Sequence, residues 1–127
     1  MEFNEEDIKL RIKELVENKA VIPKPKTKNT FRILRFGKRR NEIAIIYSIP
    51  SHKDGKSHYE KGITFSEIFT ALKELSKTGF LSRDWFNNNL PNCAKEGDCN
   101  YTSLGGIFEL LGLAKYSENG KYKGVTQ

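Results

Sequence analysis

The chain lacks any long apolar run. Its longest is the five residues Ile43-Ala44-Ile45-Ile46-Tyr47, far short of the roughly 20 needed to cross a membrane as a helix. Cysteine is scarce, with two in 127 residues, which excludes a disulfide-stapled scaffold and leaves free thiols as the expectation for Cys93 and Cys99. The opening MEFNEEDIK has no basic segment leading into an apolar one, so no secretory leader is read there and the cytoplasm is the expected compartment. Neither a phosphate-cradling glycine loop nor a nucleophile–base motif occurs. What is present, 37% hydrophobic, 30% charged and 11% aromatic residues, is the balance of one folded, soluble domain.

The net charge of +6 is unevenly spread. Residues 1–18 hold three Lys/Arg against six Asp/Glu, residues 19–61 twelve against three, and residues 62–127 seven of each. The entire basic excess therefore lies in one 43-residue segment. Clustered cations gain by releasing counterions from a polyanion, so nucleic acid is the expected partner and a solvated basic surface the bland alternative.

Local patterns give an α+β chain. Asn4 caps a helix whose Ile8, Ile12, Leu15 and Val16 form one stripe, with Phe3 placed to staple onto Ile8. Glu5–Lys9 and Asp7–Arg11 are its expected outer pairs. That stripe must be buried on its own domain or on a second copy of the chain. FRILRF (31–36) and EIAIIYSIP (42–50) read as a β-hairpin with GKRRN as its loop, and SHKDGKSHYEKG as a flexible loop. Thr64 and Glu67 form a capping box for the helix that follows, and Gly79 ends it. After the short strand Phe80-Leu81, Ser82 caps RDWFNNNL. Pro91 closes that helix, and a polar loop, NCAKEGDCN, leads to a third helix from Thr102 to Gly112. Residues 113–125 form a hairpin around Asn119-Gly120. Trp85 and Phe86 are expected in the core with Ile68, Leu72 and Leu75.

Over residues 63–125 the order helix, strand, helix, helix, strand, turn, strand resembles a winged-helix domain, the helix-turn-helix variant with a β-hairpin wing. The resemblance implies a third helix, Thr102 to Leu111, in the DNA major groove, with Tyr101, Thr102 and Ser103 as contact candidates at its start, and a wing, Lys115 to Lys123, on the backbone or minor groove. Two glycines, Gly105 and Gly106, interrupt that helix at a cost of roughly 1 kcal/mol each. They permit either close approach to a phosphate or tight packing on the helix of residues 65–77. The helix carries no Arg, Lys, Asn or Gln to read bases, so phosphate contacts are expected to dominate. Candidates are Arg32, Arg35, Lys38, Arg39 and Arg40 on the hairpin and Lys115, Lys121 and Lys123 on the wing.

Double-stranded DNA binding without catalysis, cofactor or metal is the resulting expectation. Two alternatives stand beside it. A winged helix used for protein contact would explain the uncharged third helix but not the basic segment. A small nuclease would need clustered carboxylates, but only Glu42 lies near the strands, with Asp54 and Glu60 in the loop, and histidine chemistry would lean on His52 and His58. Cys93, Cys99, His52 and His58 show five-residue gaps, longer than zinc sites favour.

Overall fold

In the computed structural model, which describes residues 3–27, 29–50 and 58–125, Asn4 caps the first helix by accepting the Asp7 N–H at 3.1 Å. This helix, α1 (Glu5–Glu17), buries Ile8 and Ile12 and half-buries Leu15 and Val16. Its stripe is used within the chain, packed on the strand that begins at Phe31. Phe3 packs against the core that includes Ile8 and stacks on Phe69, ring centroids 6.4 Å apart. The outer pairs differ from expectation. Lys9 sits 3.7 Å from Glu6, and Arg11 leaves the helix surface to donate to the Leu111 carbonyl. A distant helix end offers it an acceptor that a solvated carboxylate does not better.

Four antiparallel strands follow in spatial order β1 (Val21–Ile22), β2 (Phe31–Arg39), β3 (Glu42–Pro50) and β4 (His58–Thr64). The hairpin is longer than the sequence suggested. Arg40 and Asn41 alone turn the chain, at φ +52° and +62°, the left-handed pair of a tight two-residue turn. Gly37 therefore lies inside β2, where a side chain would collide with Ile46. The supposed loop 51–62 is corrected from residue 58 onward: Tyr59 pairs with Ile49 and Ile63 with Ile45. Residues 51–57 lie outside the described residues. HYEKGIT has little strand character of its own, and pairing along β3 makes it a strand.

From Thr64 the reading and the structure run closely together. The capping box opens α2 (Phe65–Thr78), and Gly79 ends it at φ +82°. β5 (Phe80–Leu81) leads to Ser82, which caps α3 (Arg83–Asn89). Pro91 does more than close α3. It starts α4 (Pro91–Glu96) where a polar loop was expected, because the first helical position needs no N–H. α5 (Asn100–Leu110), β6 (Ala114–Tyr116) and β7 (Tyr122–Gly124) complete the chain, with the small sheet ordered β5-β7-β6. Phe86 is fully buried, whereas Trp85 is only half-buried at the core's edge.

One core joins both halves, from Ile8 and Ile33 to Phe108 and Tyr122. α5 runs through it, with residues 103 to 108 all buried. This accounts for the two glycines. A Cβ at Gly105 would fall within the Tyr122 ring, and one at Gly106 against Ile22 and the Pro23 carbonyl. The reason is tight packing, as one reading held, but the partners are β7 and β1, not α2. Among the described residues no helix is long and apolar enough to cross a membrane.

Candidate nucleic-acid interface

The basic hairpin was expected to present five cations, and most of them are engaged. Arg40 spans Glu67 with Nε and Nη2, at 2.7 and 2.8 Å, and reaches Glu96 with Nη1 at 2.6 Å. Arg39 takes the other oxygen of Glu96 at 3.0 Å. Arg35 forks onto Glu60 at 2.6 and 3.1 Å, and Arg32 donates to the Lys19 carbonyl at 2.9 Å. Only Lys38 of the five is exposed with an ammonium that has no hydrogen-bond or ion-pair partner among the described residues. The GKRRN tip is thus corrected from a solvated grip to a latch. α4 and the start of α2 supply carboxylates just where the turn projects.

The start of α5 is also placed differently from expectation. Tyr101 and Ser103 are buried, and the Tyr101 hydroxyl bonds to the Leu81 and Gly120 carbonyls at 2.9 and 2.6 Å. Thr102 is half-exposed. Its hydroxyl and that of Ser103 accept from the Lys24 ammonium at 2.7 and 2.9 Å, and the Cys99 carbonyl accepts the third N–H at 3.1 Å. With residues 103 to 108 all buried, α5 has little face left to offer a groove. The basic segment itself covers it, since β1 packs on α5.

That covering creates a cleft of about 590 Å³ between residues 24–27, Asn29 and Phe31, the start of α3, and the turn after β6. Among the described residues four cations line it, Lys24, Lys26, Arg83 and Lys121, against one carboxylate, Asp84. Phe31, Tyr101 and Tyr116 add aromatic surface. Lys24 lies over the Phe31 ring at 4.2 Å, and Arg83 over Tyr101 at 4.9 Å. Burial is the main force on the Lys24 amine, lowering its pKa from 10.5 to about 8, with Cys99 opposing and Arg83 assisting. Lys24, Lys26 and Arg83 were not singled out from the sequence. The signal was available in IPKPK, where alternating prolines hold lysines on an extended backbone.

On the small sheet, Lys115 pairs with Lys123, and Lys123 pairs with Phe80. All three are exposed, a basic row ending in one aromatic ring. Lys121 is exposed at the cleft. Tyr122 is buried beneath this sheet and Tyr116 half-buried beside it, ring centroids 5.4 Å apart.

Among the described residues no three of His, Cys, Asp and Glu come together in a way that would hold an ion. Cys93 and Cys99 are free, one buried and one half-buried, and burial pushes the Cys93 thiol up so that it stays protonated. His52 and Asp54 lie outside the described residues, as does the His58 side chain. Glu42 accepts from the Ser66 hydroxyl at 2.9 Å, and Glu60 is engaged by Arg35. No protein-family model, curated protein or solved structure matches this chain.

Proposed function

We propose that the protein binds double-stranded DNA without catalysis, through its phosphates, and that the contact surface is the cleft and small sheet rather than the hairpin tip. One observation carries this reading. Lys26, Arg83, Lys115, Lys121 and Lys123 make no ion pair among the described residues, while Arg35, Arg39 and Arg40 are committed to carboxylates. Cations that keep their charge uncompensated draw phosphate oxygens, and each contact releases a counterion. On this reading residues 63–125 act as a winged-helix unit that uses its wing, Lys115 to Lys123, and not its third helix.

The test is binding to a labelled random-sequence duplex across a salt series. Wild type is compared with Lys115→Ala/Lys121→Ala/Lys123→Ala. The expected result is a plot of log affinity against log salt that is shallower by about two to three units in the variant. Absence of wild-type binding at low salt overturns the reading. It would direct attention to protein contact, for which the exposed Ile43 and Phe36, the latter packed beside Phe65, are the observation in favour.

A further inference from the structure

The cleft has a shape that backbone contact alone does not use. A paired duplex offers a concave site only sugar and phosphate, because its bases are stacked and paired inside. An unpaired nucleotide offers a phosphate and a π-face together, and proteins that hold single strands combine cations with aromatic platforms. At about 590 Å³ the cleft falls within the roughly 300–1,000 Å³ of sites that enclose a small organic group.

We infer that this cleft receives one unpaired nucleotide of a DNA strand, at an end or a single-stranded tail, with its phosphate toward Lys26, Arg83 and Lys121 and its base against Tyr116 and Phe31. The inference rests on the DNA-binding reading above. Three features support it. Lys26, Arg83 and Lys121 are exposed, so their charge meets a phosphate at the surface, while Phe31 and Tyr116 are half-buried and present ring surface to the same space. Arg83, held over Tyr101 and tied to the Asp98 carbonyl at 3.0 Å, is pre-positioned as a flat cation. Lys24 has all three N–H groups used by the protein, so it fixes the cleft wall and adds positive field without needing to bond the ligand.

The cleft also lies next to the wing. Lys121 lines it and immediately precedes Tyr122 and Lys123 of β7. A duplex held on the Lys115–Lys123 face thus has the cleft beside it to take a frayed end. The location favours junctions between paired and unpaired DNA over continuous duplex.

The experiment measures affinity for a blunt duplex and for the same duplex with a short single-stranded tail carrying 2-aminopurine, whose fluorescence is quenched by stacking. The tailed duplex is expected to bind about tenfold or more tighter, as one stacked base supplies, with quenching on binding. Tyr116→Leu removes both the preference and the quench. Lys26→Ala/Lys121→Ala, at exposed positions where folding is not at stake, lowers the preference independently. Equal affinity for blunt and tailed duplex without quenching overturns the inference and leaves the phosphate reading standing. A free mononucleotide that binds where no strand does overturns the strand assignment. Failure of every DNA to bind at low salt overturns both readings.

Discussion

Arg40 and Glu67 are joined through both carboxylate oxygens, at 2.7 and 2.8 Å, although one sits at the tip of a β-turn and the other in the first turn of α2. Glu67 also accepts the Thr64 N–H at 2.8 Å, so one carboxylate caps a helix and anchors a hairpin. Removing Arg40 leaves Glu67, itself buried, facing Glu96 with no cation between them but Arg39. Breaking one partner of such a pair costs about 3 kcal/mol or more. Arg40→Ala is therefore expected to lower the melting temperature by about 10 °C, and Arg40→Lys to recover only part of it, since an ammonium lacks the fork. Lys38→Ala, two residues away and exposed, should change stability by less than about 0.5 kcal/mol. Thermal melts of the three variants check this, and an unchanged Arg40→Ala melt would remove the latch.

The same carboxylate sets an acid limit. Burial alone would raise the Glu67 pKa, but the Arg40 fork and the Thr64 hydrogen bonds outweigh it and hold the group below its ordinary 4.5. A depressed carboxylate contributes stability that is present above the unfolded value and disappears as pH falls through the folded one. Urea midpoints are expected to decline as pH falls below about 4.5, with Glu67→Gln showing a lower midpoint at neutral pH and a flatter decline. Parallel curves for the two proteins would assign the acid sensitivity elsewhere.

Gly105→Ala places a methyl within the ring of Tyr122, which is fully buried, packs on Tyr101 and Tyr116, and bonds through its hydroxyl to the Thr102 carbonyl. Helix propensity favours alanine by about 1 kcal/mol, while overpacking a filled core typically costs about 1–3 kcal/mol. With a backbone-fixed ring as the obstacle, the second effect should win. Gly106→Ala meets the Pro23 carbonyl and should behave alike. Denaturant unfolding of each variant is the measurement, and a midpoint at or above wild type would show that the helix has room.

The C-terminal elements were legible because their signals are local. Thr64 with Glu67, Gly79, Ser82 and Asn119-Gly120 each act within a few residues of where they stand in the chain. What was not legible depended on distant partners. HYEKGIT became a strand because β3 offered it an edge, and Arg39 and Arg40 lost their solvated character because Glu67 and Glu96 fold against them. Gly105 carried a clear local oddity whose cause, Tyr122, lies across the sheet. The cleft was least legible of all. It is assembled from Lys24, Arg83 and Lys121, three residues spread across nearly the whole chain, and charge counting by segment puts the last two in a block that comes out neutral.

Lys24 gives a signature at the opposite end of the pH scale. Its amine titrates near 8 in the folded protein, mainly through burial, and near 10.5 when free. Between those values the unfolded chain binds a proton that the folded one has released, so stability should rise with pH across that window. Anion binding should show the reverse trend. A phosphate in the cleft favours the charged amine, so affinity is expected to be highest below about pH 8 and to weaken as pH passes that value, as Lys24 neutralises. Cys99 and Arg83 face the same amine, and Lys26, Arg83 and Lys121 also line the cleft, so the loss should be partial. Lys24→Met separates the contributions. It should flatten both curves while leaving Thr102 and Ser103 without their donor, at a cost of about 1–3 kcal/mol. A pH profile of duplex binding identical in wild type and Lys24→Met would mean that the anion sits out of reach of this amine, on the small sheet alone.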